Sequence, residues 1–366
     1  MQKGANDKGW LILPLLFFYS SFSVFAQITD DSATVVSSGS NLHNTLPLPR
    51  SGKPFYDILL PSKEGFRPVL LFSSDDRFFA GVTYNHRGRG WRTDTAGQKH
   101  KAYLHYSFVQ KAFSVGYQGV FNGVIGNWNL LAEANYDWVR WMNFYGLGNE
   151  TKQQTSDNSF YRIRSREAVV GLGFYHRLGK QSSVTLTPFY QRIHLLNDQG
   201  SYFSQSIVAK APDVYETKNF GGLRADILVR RIDDLLLPTK GVVFSGSITH
   251  TKNLNKARSF TNYSTGLRFY LPFLKRFVLS VENGAATVGG KPEFYQLNAI
   301  GGSNLRGYRR ERFWGETAFY NNNEVYYLFE APSKLFKGKM GMLLFSDQGR
   351  VWKEGEQSKA WHHGYG

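Results

Sequence analysis

The residues with most chemical potential lie together near the C-terminal end, in Gly301-Gly302-Ser303-Asn304-Leu305-Arg306-Gly307-Tyr308. The stretch sits between two strand-like segments, Phe277–Val288 and Thr317–Phe329. Its glycines permit tight backbone turns. Its cation, Arg306, needs a carboxylate if buried. Two candidates follow, Glu324 and Asp347. The planar fork of a guanidinium suits bidentate contact with carboxylates. Phosphate binding is disfavoured, because a phosphate-cradling loop requires G-x-x-x-x-G-K-[ST] ahead of a helix. Here neither the lysine nor a helical period follows. Cysteine is absent, as are G-x-S-x-G and H-E-x-x-H. His362 and His363 are adjacent, so in a strand they point to opposite faces. His86, His105 and His176 lie in strand-like segments without ligand spacing. These residues predict structural anchoring, with no catalytic residue, metal or cofactor.

Composition narrows the elements that must carry this loop. The chain has 366 residues, 16% aromatic, with 37 glycines and a formal net charge of +16. Mean hydropathy is −0.37. Beyond the N-terminus no apolar run reaches the length of a membrane helix, about 18 residues. A polar chain rich in Gly, Tyr, Phe and Trp fits a transmembrane β-barrel, in which only alternate residues face lipid. The basic charge suits an anionic membrane surface or an anionic solute, or forms an ordinary solvated basic surface. No zinc-finger spacing, RNP-type segment or recognition helix points to nucleic acid.

Residues 1–26 read as a secretory signal peptide. Lys3 and Lys8 form a positive start, Leu11–Phe18 an apolar core, and Val24-Phe25-Ala26 a cleavage site before Gln27. Residues 27–66 carry no period and read as an extended or disordered lead-in. From about Pro68 the pattern has period 2. In Asn127–Val139, Trp128, Leu130, Ala132, Ala134, Tyr136 and Trp138 share one face. Asn129, Glu133, Asn135 and Asp137 share the other with Leu131. An apolar face closed by aromatics, opposite an acidic and amide-lined one, is what a lipid-facing strand around a wet lumen requires. Similar segments recur to Trp352 and predict about 13 strands, most long enough to cross a bilayer at a tilt. Short turns are expected at Ser74–Arg77, Gln110–Lys111 and Phe273–Arg276. Long loops are expected at Gly88–Gln98, Arg140–Ser159, Leu196–Thr217, Lys252–Ala257 and Gly289–Gly315. The two kinds are expected at opposite ends of the barrel. Trp91, Trp138, Trp141, Phe144 and Tyr145 are expected in an interfacial aromatic girdle.

Two motifs carry a family resemblance. Gly301-Gly302 with Leu305-Arg306-Gly307-Tyr308 resembles the loop motif of the BamA/TamA superfamily of outer-membrane barrels, also called bacterial surface antigens. Phe345-Ser346-Asp347-Gln348-Gly349-Arg350-Val351-Trp352 resembles that superfamily's F-x-D-x-G-x-V-W strand. Arg230-Arg231-Ile232-Asp233-Asp234, with Pro238 and Gly241, is similar to its mid-barrel turn, though less closely. The resemblance implies an all-β fold, a transmembrane antiparallel barrel of the 16-stranded type, of which residues 67–366 carry about 13 full strands, the last strands missing. It implies that the loop folds back into the lumen, where Arg306 pairs with Asp347 and Glu324 on a wall that also presents Phe345 and Gly349.

Two departures shape the functional expectation. Residues 27–66 are too few for the periplasmic POTRA domains of the assembly and transport members. The chain also reaches Gly366 as a further strand begins, so the barrel is expected to be C-terminally incomplete. The resemblance implies an outer-membrane protein, its signal peptide removed near Ala26. Its expected surroundings are outer-membrane lipid and lipopolysaccharide, with a periplasmic or membrane protein as partner. The leading expectation is a role in outer-membrane assembly or export, with the loop plugging the lumen. A passive channel for small anions is the alternative, and a barrel-borne hydrolase ranks last.

Overall fold

The computed structural model describes residues 23–26, 64–73, 77–89, 96–109, 111–179, 181–207, 212–235, 237–332 and 337–366. Most of the expected signal peptide, nearly all of the lead-in, and Trp91 lie outside the described residues.

Alternating residues with wet and greasy faces form long strands because each face meets its own medium. The strands are β1 (Ser23–Ala26), β2 (Gly65–Ser73), β3 (Arg77–Arg89), β4 (Ala96–Ser107), β5 (Ala112–Ile125), β6 (Trp128–Asn143) and β7 (Arg162–Leu178). Then follow β8 (Ser182–Leu195), β9 (Lys218–Ile232), β10 (Gly241–Asn253), β11 (Arg258–Phe273) and β12 (Phe277–Gly290). The last are β13 (Asn298–Ile300), β14 (Phe313–Gly315), β15 (Thr317–Pro332), β16 (Lys337–Trp352) and β17 (His362–Tyr365). Among the described residues the β8–β9 loop holds one short α-helix, α1 (Tyr202–Ser206), and a 3-10 turn at Pro212–Tyr215, and further 3-10 turns lie at Asn158–Tyr161 and Phe294–Gln296.

All but two strands join one 15-stranded antiparallel sheet, ordered β1-β16-β15-β12 and then down through β11 to β2, with β17 also on β16. β13 and β14 pair only with each other, as a small hairpin inside the β12–β15 connection. Among the described residues the sheet is not closed: β2 pairs only with β3. The outer edge of β16 is shared by β17 along Ser346–Gly349 and β1 along Met340–Leu343.

The two faces differ as the period-2 pattern requires. On one face Gln118, Glu133, Glu167, Gln191, Arg268, Glu282, Glu324 and Asp347 are buried. On the other, Leu104, Val170, Leu172, Phe174, Leu223, Ile248, Leu271 and Leu344 are exposed. That apolar face would be costly in water and is satisfied by lipid.

Connections fall at the two ends by parity, and this corrects the expected distribution of loops. Each antiparallel strand reverses direction, so loops separated by an odd number of strands lie at opposite ends. Three strands separate the β3–β4 connection from residues 144–161, so the two cannot share an end. One end carries the tight turn 108–111 together with the long loops 144–161, 196–217 and 291–316. The other carries 126–127, 179–181, 233–240 and 274–276.

The long loops pack on one another. Phe144, Phe203, Val214, Tyr295, Leu297 and Trp314 form one buried cluster with strand-end residues such as Met142, Ile193 and Phe220. Phe144 and Tyr145 are therefore core residues, 0% exposed, and not members of an aromatic girdle. The chain has turned off β6 at that point, so its aromatics face the neighbouring loops. Trp138 stays on the apolar face and is 39% exposed.

Candidate functional site

The β12–β15 connection is built to hold one arginine against the sheet. β13 and β14 pair from Asn298↔Gly315 to Ile300↔Phe313. Between them the chain reverses through the loop 301–312, and its first residue must turn sharply off β13. Gly301 does so at φ +127°, where an added Cβ would press into the Arg309 carbonyl. The side chain of Asn304 accepts a hydrogen bond from Gly301 N at 2.8 Å, and Gly302 N donates to the Tyr308 carbonyl at 3.0 Å. Leu305 is 0% exposed and packs with Ile300, Phe313, Ala318 and Val351, with Tyr308 alongside. Leu305 anchors the loop tip and so aims its neighbour Arg306.

Arg306 meets both carboxylates. Its Nε donates to Asp347 Oδ2 at 2.7 Å and its Nη2 to Asp347 Oδ1 at 2.6 Å, a bidentate fork. Its Nη1 donates to Glu324 Oε1 at 2.6 Å, and its backbone N to Asp347 Oδ2 at 2.9 Å. The guanidinium carbon lies 3.8 Å from the centre of the Phe345 ring, within cation–π range. Asp347 is 0% exposed and Glu324 6%. Burial alone opposes the charge on Arg306, but the Asp347 hydrogen bonds and the nearby Glu324 charge outweigh it and raise its pKa.

Sheet register explains why these residues converge. Glu324 pairs with Phe345, Asn322 with Asp347 and Tyr320 with Gly349, so all six face the same way. Asn322 also donates to the Ser303 carbonyl at 3.2 Å. Gly349 lies beneath Ile300, where a Cβ would come within 3.2 Å of its Cδ1. The motif residues singled out in the sequence thus fall in one place.

Other contacts that hold the loop were not legible from spacing. Trp314, 0% exposed, donates through Nε1 to the Asn143 and Glu311 carbonyls at 3.0 and 2.8 Å. Arg312 donates to Thr151 Oγ1 and the Thr151 carbonyl, each at 2.6 Å. Asn149 exchanges hydrogen bonds with the Val351 backbone at 2.6 and 3.0 Å. Lys218, 2% exposed, contacts Glu293 at 2.8 Å and Asp213 at 3.5 Å, while Lys256 also pairs with Asp213. The hydrogen bond to Lys256 is the main force holding the Asp213 carboxyl down to about 2. A tryptophan in a polar loop was the one available signal. The ion pairs join residues up to 75 positions apart, beyond any local pattern.

The mid-barrel turn is a separate structure at the opposite end. Asp233 accepts from Thr239 N at 2.9 Å and Lys240 N at 3.1 Å, and from the Thr239 hydroxyl. Burial pushes the Asp233 carboxyl up, but these bonds prevail and hold it at about 2. Tyr326 of β15 donates to the Pro238 carbonyl and ties the turn to the sheet.

A family model described as the Omp85 superfamily domain matches residues 85–365. The chain belongs to the Omp85 superfamily. Among solved structures, this Omp85 chain is similar to BamA from Haemophilus ducreyi lacking POTRA domains 1–3, with a TM-score of 0.54 at 15% identity. That match covers 80% of this chain and 58% of the other. It is also similar to CdiB from Acinetobacter baumannii, with a TM-score of 0.46 at 13% identity, covering 92% and 56%. The Omp85 chain thus spans less than two thirds of either. The first likeness supports the BamA-like fold alone. No curated protein sequence matches the chain. Members of the superfamily are outer-membrane β-barrels, which accounts for the sheet's apolar face.

Proposed function

We propose that this protein is an outer-membrane barrel serving the assembly or export of other proteins, and that the Arg306 loop plugs its lumen. The observation carrying this reading is the clamp of Arg306 by two buried carboxylates on adjacent strands. A mobile surface loop has no need of such an anchor. A loop that must stay against the polar wall of a water-filled barrel does. The tight packing of the three long loops supports closure at the same end. Membership of Omp85, whose members assemble or transport proteins, supports the assembly or export role. The reading assigns no catalytic residue.

Planar-bilayer recording on the native chain and on Arg306→Ala tests the plug. The native chain is expected to conduct little, and the variant to open larger and more frequent steps. Equal conductance in the two sinks the plug. A high, anion-selective conductance already present in the native chain would favour a passive channel for small anionic solutes. Co-purification of a periplasmic or membrane protein with the native chain would support assembly or export.

A further inference from the structure

The outward face of β7 changes character along its length. Towards its C-terminal end it presents Val170, Leu172 and Phe174, all large, apolar and exposed. Towards the loop-bearing end the same row presents Arg166, Arg164 and Arg162. The next strand repeats this gradient, since Ala168 pairs with Arg192 and Arg166 with His194. Arg166 and Arg192 are therefore diagonal neighbours on one face, about 7–8 Å apart at the backbone. Arg164 is paired with Asp198, its Nε donating at 2.7 Å. Among the described residues Arg162 feels the charge of the exposed Asp157 without forming an ion pair, and Arg166 and Arg192 form none. Among the described residues Arg166 lies 4.5 Å over the Trp138 ring and Arg162 4.8 Å over Trp141, and no acidic side chain contacts Arg162, Arg166 or Arg192. Like charges side by side on a sheet repel unless a counter-charge joins them.

The level of these cations identifies the counter-charge. Trp138 contacts Phe113 and Tyr136 on the outer face, the aromatic setting of a membrane–water interface. Arg162, opposite Asn143, stands beyond Trp138, Arg166 lies over that ring, and Arg192 shares the row of Ala168 and Tyr136. Long arginine side chains at this level extend to the lipid headgroups, and a guanidinium fork matches phosphate geometry. We infer that the outer rim of β6–β8 is a binding site for a phosphorylated lipid headgroup of the leaflet at the loop-bearing end, held by Arg162, Arg166 and Arg192. Trp138 and Trp141 orient two of these guanidinium groups. The inference rests on the outer-membrane reading of the apolar face and is independent of the plug.

Native mass spectrometry of the full chain in a neutral detergent tests it. The probes are phosphatidic acid and diacylglycerol with the same tails, so that only the phosphate differs. The native chain is expected to retain phosphatidic acid over diacylglycerol, and R166Q/R192Q to lose about fivefold in retention per arginine. R166K/R192K keeps the charge and is expected to hold most of it. Asp198→Asn releases Arg164 and is expected to increase retention. Heat-modified gel mobility reports whether each variant folds, which separates a lost site from a lost barrel. Equal retention of the two lipids, or unchanged retention in folded R166Q/R192Q, overturns the site. Full competition by millimolar inorganic phosphate would also overturn it, since the ligand would then be a free anion and not a lipid.

Discussion

Removing Arg306 isolates the energy of the clamp. Its side chain is 18% exposed, and it satisfies Asp347 through two side-chain hydrogen bonds and Glu324 through one. Deleting it leaves a fully buried carboxylate and a nearly buried one without their cation. Breaking a buried pair by removing one partner costs about 3–5 kcal/mol, so Arg306→Ala is expected to lose stability on that order. Asp347→Asn keeps the shape and removes one charge, leaving Arg306 with Glu324. The two changes share an interaction, so R306A/D347N should be less damaging than the sum of the singles. The expected coupling is about 1–3 kcal/mol. Urea unfolding in vesicles of fixed lipid composition measures all four corners of the cycle. Coupling within about 0.5 kcal/mol of zero would show that the two groups act independently, and the anchoring argument would fail.

Two further outcomes are expected. Gly301→Ala places a side chain at φ +127° and against the Arg309 carbonyl. It should cost about 1–3 kcal/mol and increase protease cutting within 301–312, whereas unchanged cutting would show that the hairpin tolerates another turn. The Asp213 carboxyl, depressed chiefly by its hydrogen bond with Lys256, should titrate near 2 by carbon NMR. Because its folded pKa lies below the unstructured value of 3.8, it contributes stability that is present above about pH 4 and lost as pH falls through about 2. Lys256→Gln should move the midpoint up, and a native midpoint near 4 would contradict the clasp.

The sheet was legible because one rule, alternation, is local. The expected segment Asn127–Val139 starts one residue before β6, which runs on to Asn143 at its connection. Loop placement was harder, since it depends on counting every strand between two loops. Phe144 and Tyr145 misled because an aromatic at a strand end suits both a girdle and a loop core, and only the partners decide. Lys218 gave no signal, since its partners Glu293 and Asp213 come from different loops. The Arg306 site could be proposed from sequence because its residues stand in short, distinctive motifs and its two carboxylates lie on successive sheet strands.

The position of those two carboxylates has a consequence for how the sheet is assembled. Glu324 and Asp347 belong to neighbouring strands, and one guanidinium reaches both only in the register Glu324↔Phe345. A slip of one residue would send Asp347 to the opposite face. A slip of two would keep its facing but carry it about 7 Å along the strand, out of the fork's reach. Arg306 therefore acts as a gauge: the loop can dock fully only on a correctly aligned pair of strands, so misaligned pairings are left without their anchor.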